Sequence, residues 1–439
     1  MGMDKQFKNP CLAFAFAASL LGFTCLSAAA DQSTAILQMR ADGPDAERMG
    51  NKDGYPSCIE AITRMSCRVG TWSGNHRVQR SVPVNAAEVP SAFGNHPSPP
   101  PVSWRWGLFS QTIDDFLGKT KTTGLLILKE GQVVAERYQY DRKPEMPMRS
   151  FSMAKTVTAL LIGIAHDKGH ITSLDDLAAV YWPEIAGSAY GQTSIRHLLR
   201  MSSGVPFREL YTWTPDDDIW VWGRVLYAPE NRNQPQRIEA YLQSKTTREA
   251  DAGSRFHYAT IETEILGRVL RRATGKSVAA LTEEWLWKPM GAEHTAHWLV
   301  STTDGTEGTG GSFNASVRDY ARLGLLLAQD GRIGDKQIVP KEFLLDATDV
   351  KRQPVAFHPR RATPYLGYGY QVWLLPMKER TFVLQGIHGQ AIFVQPKSGI
   401  VLVQTSANDW PSGRQDIVPY QLRDAFWRGV LISLGGTTD

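Results

Sequence analysis

The chain has 439 residues, of which 42% are hydrophobic and 10% aromatic, with 48 Lys+Arg set against 44 Asp+Glu. Such a composition belongs to a folded globular protein too long for one ordinary core. A formal charge of +4, spread without basic runs, argues against a nucleic-acid partner, and no stretch beyond the N-terminus is apolar enough to span a bilayer.

Residues 1–30 read as a secretory signal peptide: Lys5 and Lys8, an apolar core from Cys11 to Phe23, then Ala28-Ala29-Ala30 ahead of Asp31. A membrane anchor would need a longer core and a basic flank, and a lipoprotein would carry Leu three residues before Cys25. The leader implies a periplasmic or secreted protein without stable membrane association once it is removed. Cys11 and Cys25 leave with it, so Cys58 and Cys67 are expected to pair as a short-range disulfide.

Residues 31–104 are Gly-, Pro- and Asn-rich and end in Pro97-Ser98-Pro99-Pro100-Pro101, the composition of an irregular extension. Leu125–Leu128 and Val133–Ala135, separated by Lys129-Glu130-Gly131-Gln132, predict a hairpin. Met153, Val157, Leu160, Leu161 and Ile164 recur at helical spacing and predict a helix from about Ser152. Residues 166–335 read as helices and loops, with Ile261–Leu270 and Tyr320–Leu326 as buried faces. Strands return at Phe382–Leu384, Ala391–Val394 and Ile400–Val403, before a closing helix around Val418–Leu431. The expected organisation is an α/β lobe from residues 105–165 and 336–439, with residues 166–335 inserted as an all-helical lobe. The cleft between two such lobes is a favoured ligand site.

Three motifs carry chemistry. Ser152-Met153-Ala154-Lys155 at a helix start puts a hydroxyl and an amine one turn apart on one face. A lysine whose pKa is lowered by burial can take the serine proton, and the helix N-terminus favours the developing negative charge. Tyr258-Ala259-Thr260 lies just before a helix of the inserted segment. Its phenol, lowered beside a lysine ammonium, would shuttle a proton; read alone, a tyrosine near a helix start is more often a packing residue. Gln385-Gly386-Ile387-His388-Gly389-Gln390 ends a strand, where glycine admits close backbone approach and an exposed N–H can serve an oxyanion. A tight Gly-rich connection explains it equally. No G-x-S-x-G elbow occurs. His294 and His297 lack the glutamate pattern of a zinc protease, so no metal is expected.

Taken in this order, the motifs resemble those of the penicillin-recognising serine hydrolases related to class C β-lactamases. The connecting phrases His197-Leu198-Leu199, Met201-Ser202-Ser203-Gly204, Arg318–Gly324 and Gly367–Tyr370 resemble them too. The form Gly-Ile-His-Gly-Gln is similar to that of the 6-aminohexanoate-dimer hydrolase branch. The resemblance covers residues 105–435. It implies a β-lactamase/transpeptidase-like α/β fold, mostly antiparallel, and a cofactor-free esterase or amidase acting on a small molecule through an acyl-serine. It assigns Ser152 as nucleophile, Lys155 and Tyr258 as the acid/base pair, and the N–H groups of Ser152 and Ile387 as the oxyanion hole. Tyr211 and His388 are the implied substrate-binding residues, His388 being equally open to a packing role.

Two departures stand out. Thr260 replaces the usual Asn or Ser of the second motif, and Leu384-Gln385-Gly386 stands where penicillin-binding enzymes carry Lys-Thr-Gly. Lys397-Ser398-Gly399 and Ser312-Phe313-Asn314 spell the family motifs but sit in turn and capping contexts. The alternatives are a DD-peptidase or β-lactamase of the same fold, or a catalytically silent binding protein. The segment Tyr211–Trp222, aromatic and acidic, is expected to favour apolar acyl chains and a cationic amine end if it covers the cleft.

Overall fold

The computed structural model describes residues 36–439; the leader expected at 1–30 lies outside them. Its scaffold is the hairpin Thr122–Lys129 and Gln132–Tyr138. Glu130 and Gly131 both take positive φ (51° and 79°), the paired left-handed geometry whose twist matches that of the flanking strands. The alternation of the first strand decides the layers. Leu125 and Ile127 point to one face of the sheet and Leu126 and Leu128 to the other, each into its own core.

Among the described residues these strands belong to a nine-stranded sheet. At its edge, Leu37–Met39 and Gly94–Asn95 both pair parallel with Gln132–Tyr138. Antiparallel neighbours follow: Thr122–Lys129, Ile400–Ser406, Gln390–Gln395, Phe382–Gly386, Trp373–Leu374 and Gly367–Tyr368. Phe426, Trp427, Val430 and Leu431 of the C-terminal helix Val418–Ser433 cover one face. The helix Val317–Ala328 covers the other, so the last part of the 166–335 segment packs on the sheet.

Behind that second face lie Ala154–Asp167, Asp218–Tyr227, Gln236–Gln243 and Thr260–Thr274. This region is not all-helical as expected. Ala296–Leu299 and Phe313–Ala315 form a second sheet with Ser81–Val84 and Met148–Arg149. The short runs Ala296-His297-Trp298-Leu299 and Phe313-Asn314-Ala315 carry no clear period, and their partners come from distant segments. The extension is likewise more than an irregular wrap, since it supplies strands to both sheets. Cys58 and Cys67 are joined by a disulfide. Among the described residues no helix is long and apolar enough to cross a membrane.

Candidate active site

The helix Ala154–Asp167 is entered through a tight turn, Phe151–Met153, with Phe151 in the left-handed region at φ 46°. A bulky aromatic adopts this only when its surroundings hold it there. Here the ring is buried, edge-on to Trp72 at 4.9 Å, beside His388 at 5.6 Å and under the Arg149 guanidinium at 4.4 Å. The clamped turn presents Ser152 at the helix N-terminus, on a cleft.

Lys155, one turn on, is 1% exposed. Its Nζ donates to Ser152 Oγ at 3.0 Å and to the Gly310 carbonyl at 2.5 Å. Burial pulls its pKa down to about 8, opposed by the charges of Glu209 and Glu264. Tyr258 arrives from the opposite side, its ring 5.2 Å from the Lys155 ammonium and stacked on Trp373 at 5.5 Å. The Tyr258 hydroxyl shares a hydrogen bond with the Ser152 side chain. Its pKa is raised, not lowered as the sequence suggested, because burial and the nearby Glu209 charge both disfavour a phenolate. The phenol is therefore a neutral proton donor at rest.

The strand Phe382–Gly386 ends against the nucleophile turn. A Cβ at Gly386 would lie 2.2 Å from the Ser150 carbonyl oxygen, so only glycine lets the two backbones meet there. Ile387 follows on the wall of the cleft beside Ser152. His388 does not reach that wall. It is 2% exposed, its Nδ1 is 2.9 Å from the Asn408 carbonyl, and burial lowers its pKa to about 3. It packs beneath Phe151 and Trp72, so of the two roles open to it the structure gives packing and not the substrate contact.

Two residues bring a carboxylate that the sequence did not announce. Thr260 donates to Glu209 through its N–H and its hydroxyl, both at 2.7 Å. Tyr211 donates its phenol to the same carboxylate while lining the cleft. The threonine of the second motif thus anchors Glu209 and does not simply remove an amide. Glu264, also at the site, accepts from the Gly310 N–H at 2.9 Å and pairs with Arg268 at 3.2 Å. Only the glycine run Gly308-Thr309-Gly310-Gly311 offered a signal of this close approach.

None of Asp216, Asp217 and Asp218 lines the cleft at Ser152. Asp217 is fully buried and accepts from the N–H groups of Leu210, Thr212, Trp213 and Ile219, and Asp218 lies 3.8 Å from Arg208. Trp213 and Trp222 do line the cleft. At the third motif Leu384 is buried and Gln385 accepts from Arg423 at 2.6 Å. Lys397 lies in the turn Pro396–Ser398, paired with Glu379 at 2.6 Å. Asn314 is a buried strand residue bonding the Ser312 carbonyl, and the cap of the next helix is Ser316. His297 stacks on His76 at 4.1 Å and His294 lies 3.4 Å from Asp319. Among the described residues no group of three or more His, Cys, Asp or Glu is placed to hold a metal ion.

A mostly antiparallel sheet flanked by helices, with a Ser–Lys pair on the cleft, is the architecture of the β-lactamase and transpeptidase serine hydrolases. The sequence profile of the beta-lactamase family matches residues 109–424, and the chain belongs to that family. It is 25% identical over 305 residues to the 6-aminohexanoate-dimer hydrolase of Paenarthrobacter ureafaciens, spanning 68% of this chain and 75% of that one. A solved structure named "Putative 6-aminohexanoate-dimer hydrolase from Bacillus anthracis" superposes with a TM-score of 0.73 at 23% identity, covering 84% of this chain and 95% of that chain. A family VIII carboxylesterase superposes with a TM-score of 0.52 at 18% identity, over 71% of this chain and 93% of that one.

Proposed function

We propose that this serine hydrolase cleaves carboxylic esters, and linear amides more slowly, with Ser152 as nucleophile. The observation that carries this reading is Lys155 Nζ, buried and 3.0 Å from Ser152 Oγ, with a neutral tyrosine on the serine's other side. Neutral Lys155 takes the Ser152 proton as Oγ attacks the carbonyl carbon. The oxyanion is held by the N–H groups of Ser152 and Ile387. As the tetrahedral intermediate collapses, Tyr258 protonates the departing oxygen or nitrogen and recovers a proton from the Lys155 ammonium. Water then hydrolyses the acyl-serine by the same path. Esters lead because alkoxide departs more readily than amine and asks less of the donor.

The α/β lobe, residues 105–165 and 336–439, supplies the nucleophile and oxyanion groups, and the 166–335 lobe supplies Tyr258 and Tyr211. Tyr211, tied to Glu209, is the aromatic surface on which the acyl chain rests. A periplasmic or secreted location follows from the leader-like residues 1–30 and is supported by the Cys58–Cys67 disulfide. The test is labelling with a fluorophosphonate, followed by ester, amide and β-lactam panels. Ser152→Ala abolishes labelling, and Lys155→Ala and Tyr258→Phe each lose most turnover. A label on another serine overturns the assignment; efficient penicillin turnover with none on p-nitrophenyl butyrate favours a β-lactamase.

A further inference from the structure

Ser152 opens onto two cavities. Phe256, Tyr258, Trp373 and Gln385 line one of about 700 Å³. The other, about 280 Å³, runs between the helix Asp218–Tyr227 and the disulfide-closed segment of the extension. Its apolar walls are Ile59, Ile62, Ile219, Trp222 and Leu226. Tyr258, the proton donor to the departing group, lines only the first cavity, so the second receives the acyl chain.

That acyl cavity is not apolar throughout. Arg149 lines it, held by the short strand pairing that sets Arg149 opposite Asn314. Among the described residues no carboxylate ion-pairs with Arg149, and its Nε is buried without a hydrogen-bond partner. The two carboxylates on the same cavity, Glu209 and Glu264, are already engaged by Thr260, Tyr211, Gly310 and Arg268. Asn75, from the extension, also lines it. It is 1% exposed, yet neither its Oδ1 nor its Nδ2 has a partner.

A guanidinium N–H and an amide N–H buried without acceptors are costly, and a ligand that supplies an acceptor to Arg149 Nε and Asn75 Nδ2 relieves both costs. A carboxylate fits: its oxygens can accept from the guanidinium and the amide together. We propose that Arg149 and Asn75 form an anion subsite for acyl chains ending in a carboxylate, so that the preferred substrates are monoesters of linear dicarboxylic acids. This rests on the reading of Ser152 as nucleophile only for the direction of the chain. It gives the extension a function, because Asn75, Ile59 and Ile62 all come from it.

The test compares p-nitrophenyl hydrogen adipate with p-nitrophenyl hexanoate, of equal carbon number, on the full enzyme. Wild type favours the adipate ester in kcat/KM by about ten-fold or more, the effect of one charge-assisted pair. Arg149→Gln brings that ratio to about one, Arg149→Lys retains part of it, and Asn75→Asp, which sets a carboxylate beside the guanidinium, lowers it. A wild-type ratio of one or below, or an Arg149→Gln enzyme that loses both activities equally, overturns the subsite. Adipate raising the melting temperature of Ser152→Ala, while hexanoate does not, supports it independently of catalysis; equal shifts overturn it. An enzyme that binds adipate but is not labelled at Ser152 sinks the catalytic reading alone.

Discussion

As the proposed base, Lys155 sets the pH at which turnover begins. Desolvation brings its pKa from the ordinary 10.5 to about 8. An ordinary lysine is neutral in only about 0.03% of molecules at pH 7; this one is neutral in about 10%, half at pH 8 and about 90% at pH 9. Burial thus raises the population of competent base some 300-fold at neutral pH, roughly 3 kcal/mol of differential solvation. The kcat/KM for p-nitrophenyl butyrate, corrected for spontaneous hydrolysis, accordingly climbs about ten-fold between pH 7 and 9 along a limb centred near 8.

The Glu209 charge is the largest influence holding that pKa up. Glu209→Gln therefore moves the limb to lower pH, although kcat falls because the amide nitrogen cannot accept from Thr260 or Tyr211. The limb position separates the two effects: lost anchoring lowers the plateau, and lost charge moves the midpoint. A flat profile from pH 6 to 9, a limb near 10.5, or an upward shift in Glu209→Gln would refute the assignment of Lys155 as base.

Two further changes probe the frame around the site. Gly386→Ala places a Cβ 2.2 Å from the Ser150 carbonyl, forces the strand end off the nucleophile turn, and lowers kcat about 100-fold or more with a smaller change in KM; unchanged kcat removes Ile387 from the oxyanion hole. Glu262 is fully buried, accepts from the Ser203 hydroxyl at 2.6 Å, and has its pKa pushed by burial from 4.5 to about 8. Between those values the folded state keeps a proton that the unfolded state releases, so wild type loses stability as pH rises from about 4.5 through 8. Glu262→Gln keeps the acceptor and removes the titration; it gains on the order of 2–4 kcal/mol at pH 8.5 and little at pH 4.5, read from denaturant midpoints, and equal gains at both pH values contradict the reasoning.

What the sequence disclosed was what is local. The hairpin at Glu130-Gly131 and the nucleophile helix are written in turn residues and in periods of two and 3.6, each within one stretch of chain. Ser152 and Lys155 are neighbours by helical spacing and were legible for that reason. The second sheet was not, since Met148–Arg149 and Ser81–Val84 signal nothing by themselves and are strands only through Ala296–Leu299 and Phe313–Ala315. Glu209 and Asn75 line a cavity with Ser152 only through tertiary packing, and no spacing rule could join them to it. His388 stayed open between substrate contact and packing because a strand-end glycine motif fixes the backbone but leaves open which way its side chains turn.

The departures from the family pattern make sense together. Leu384 leaves the third motif without a cation, and the nearby Arg423 is buried, with its Nη2 on Gln385. Arg149, which ion-pairs with no carboxylate among the described residues, stands three residues before Ser152 and lines the proposed acyl cavity. A carboxylate held there lies on the acyl side, away from the third-motif edge where a β-lactam or D-Ala-D-Ala carboxylate would be sought. Thr260 belongs to the same rearrangement: in place of an amide facing substrate, it pins Glu209, which holds Tyr211 against the mouth of that cavity. Restoring Asn at Thr260 without removing Glu209 would put an amide on a carboxylate that needs the shorter hydroxyl, so the second and third motifs cannot be converted separately. Conversion toward β-lactam recognition has to move the cation, release Glu209 and restore the amide together.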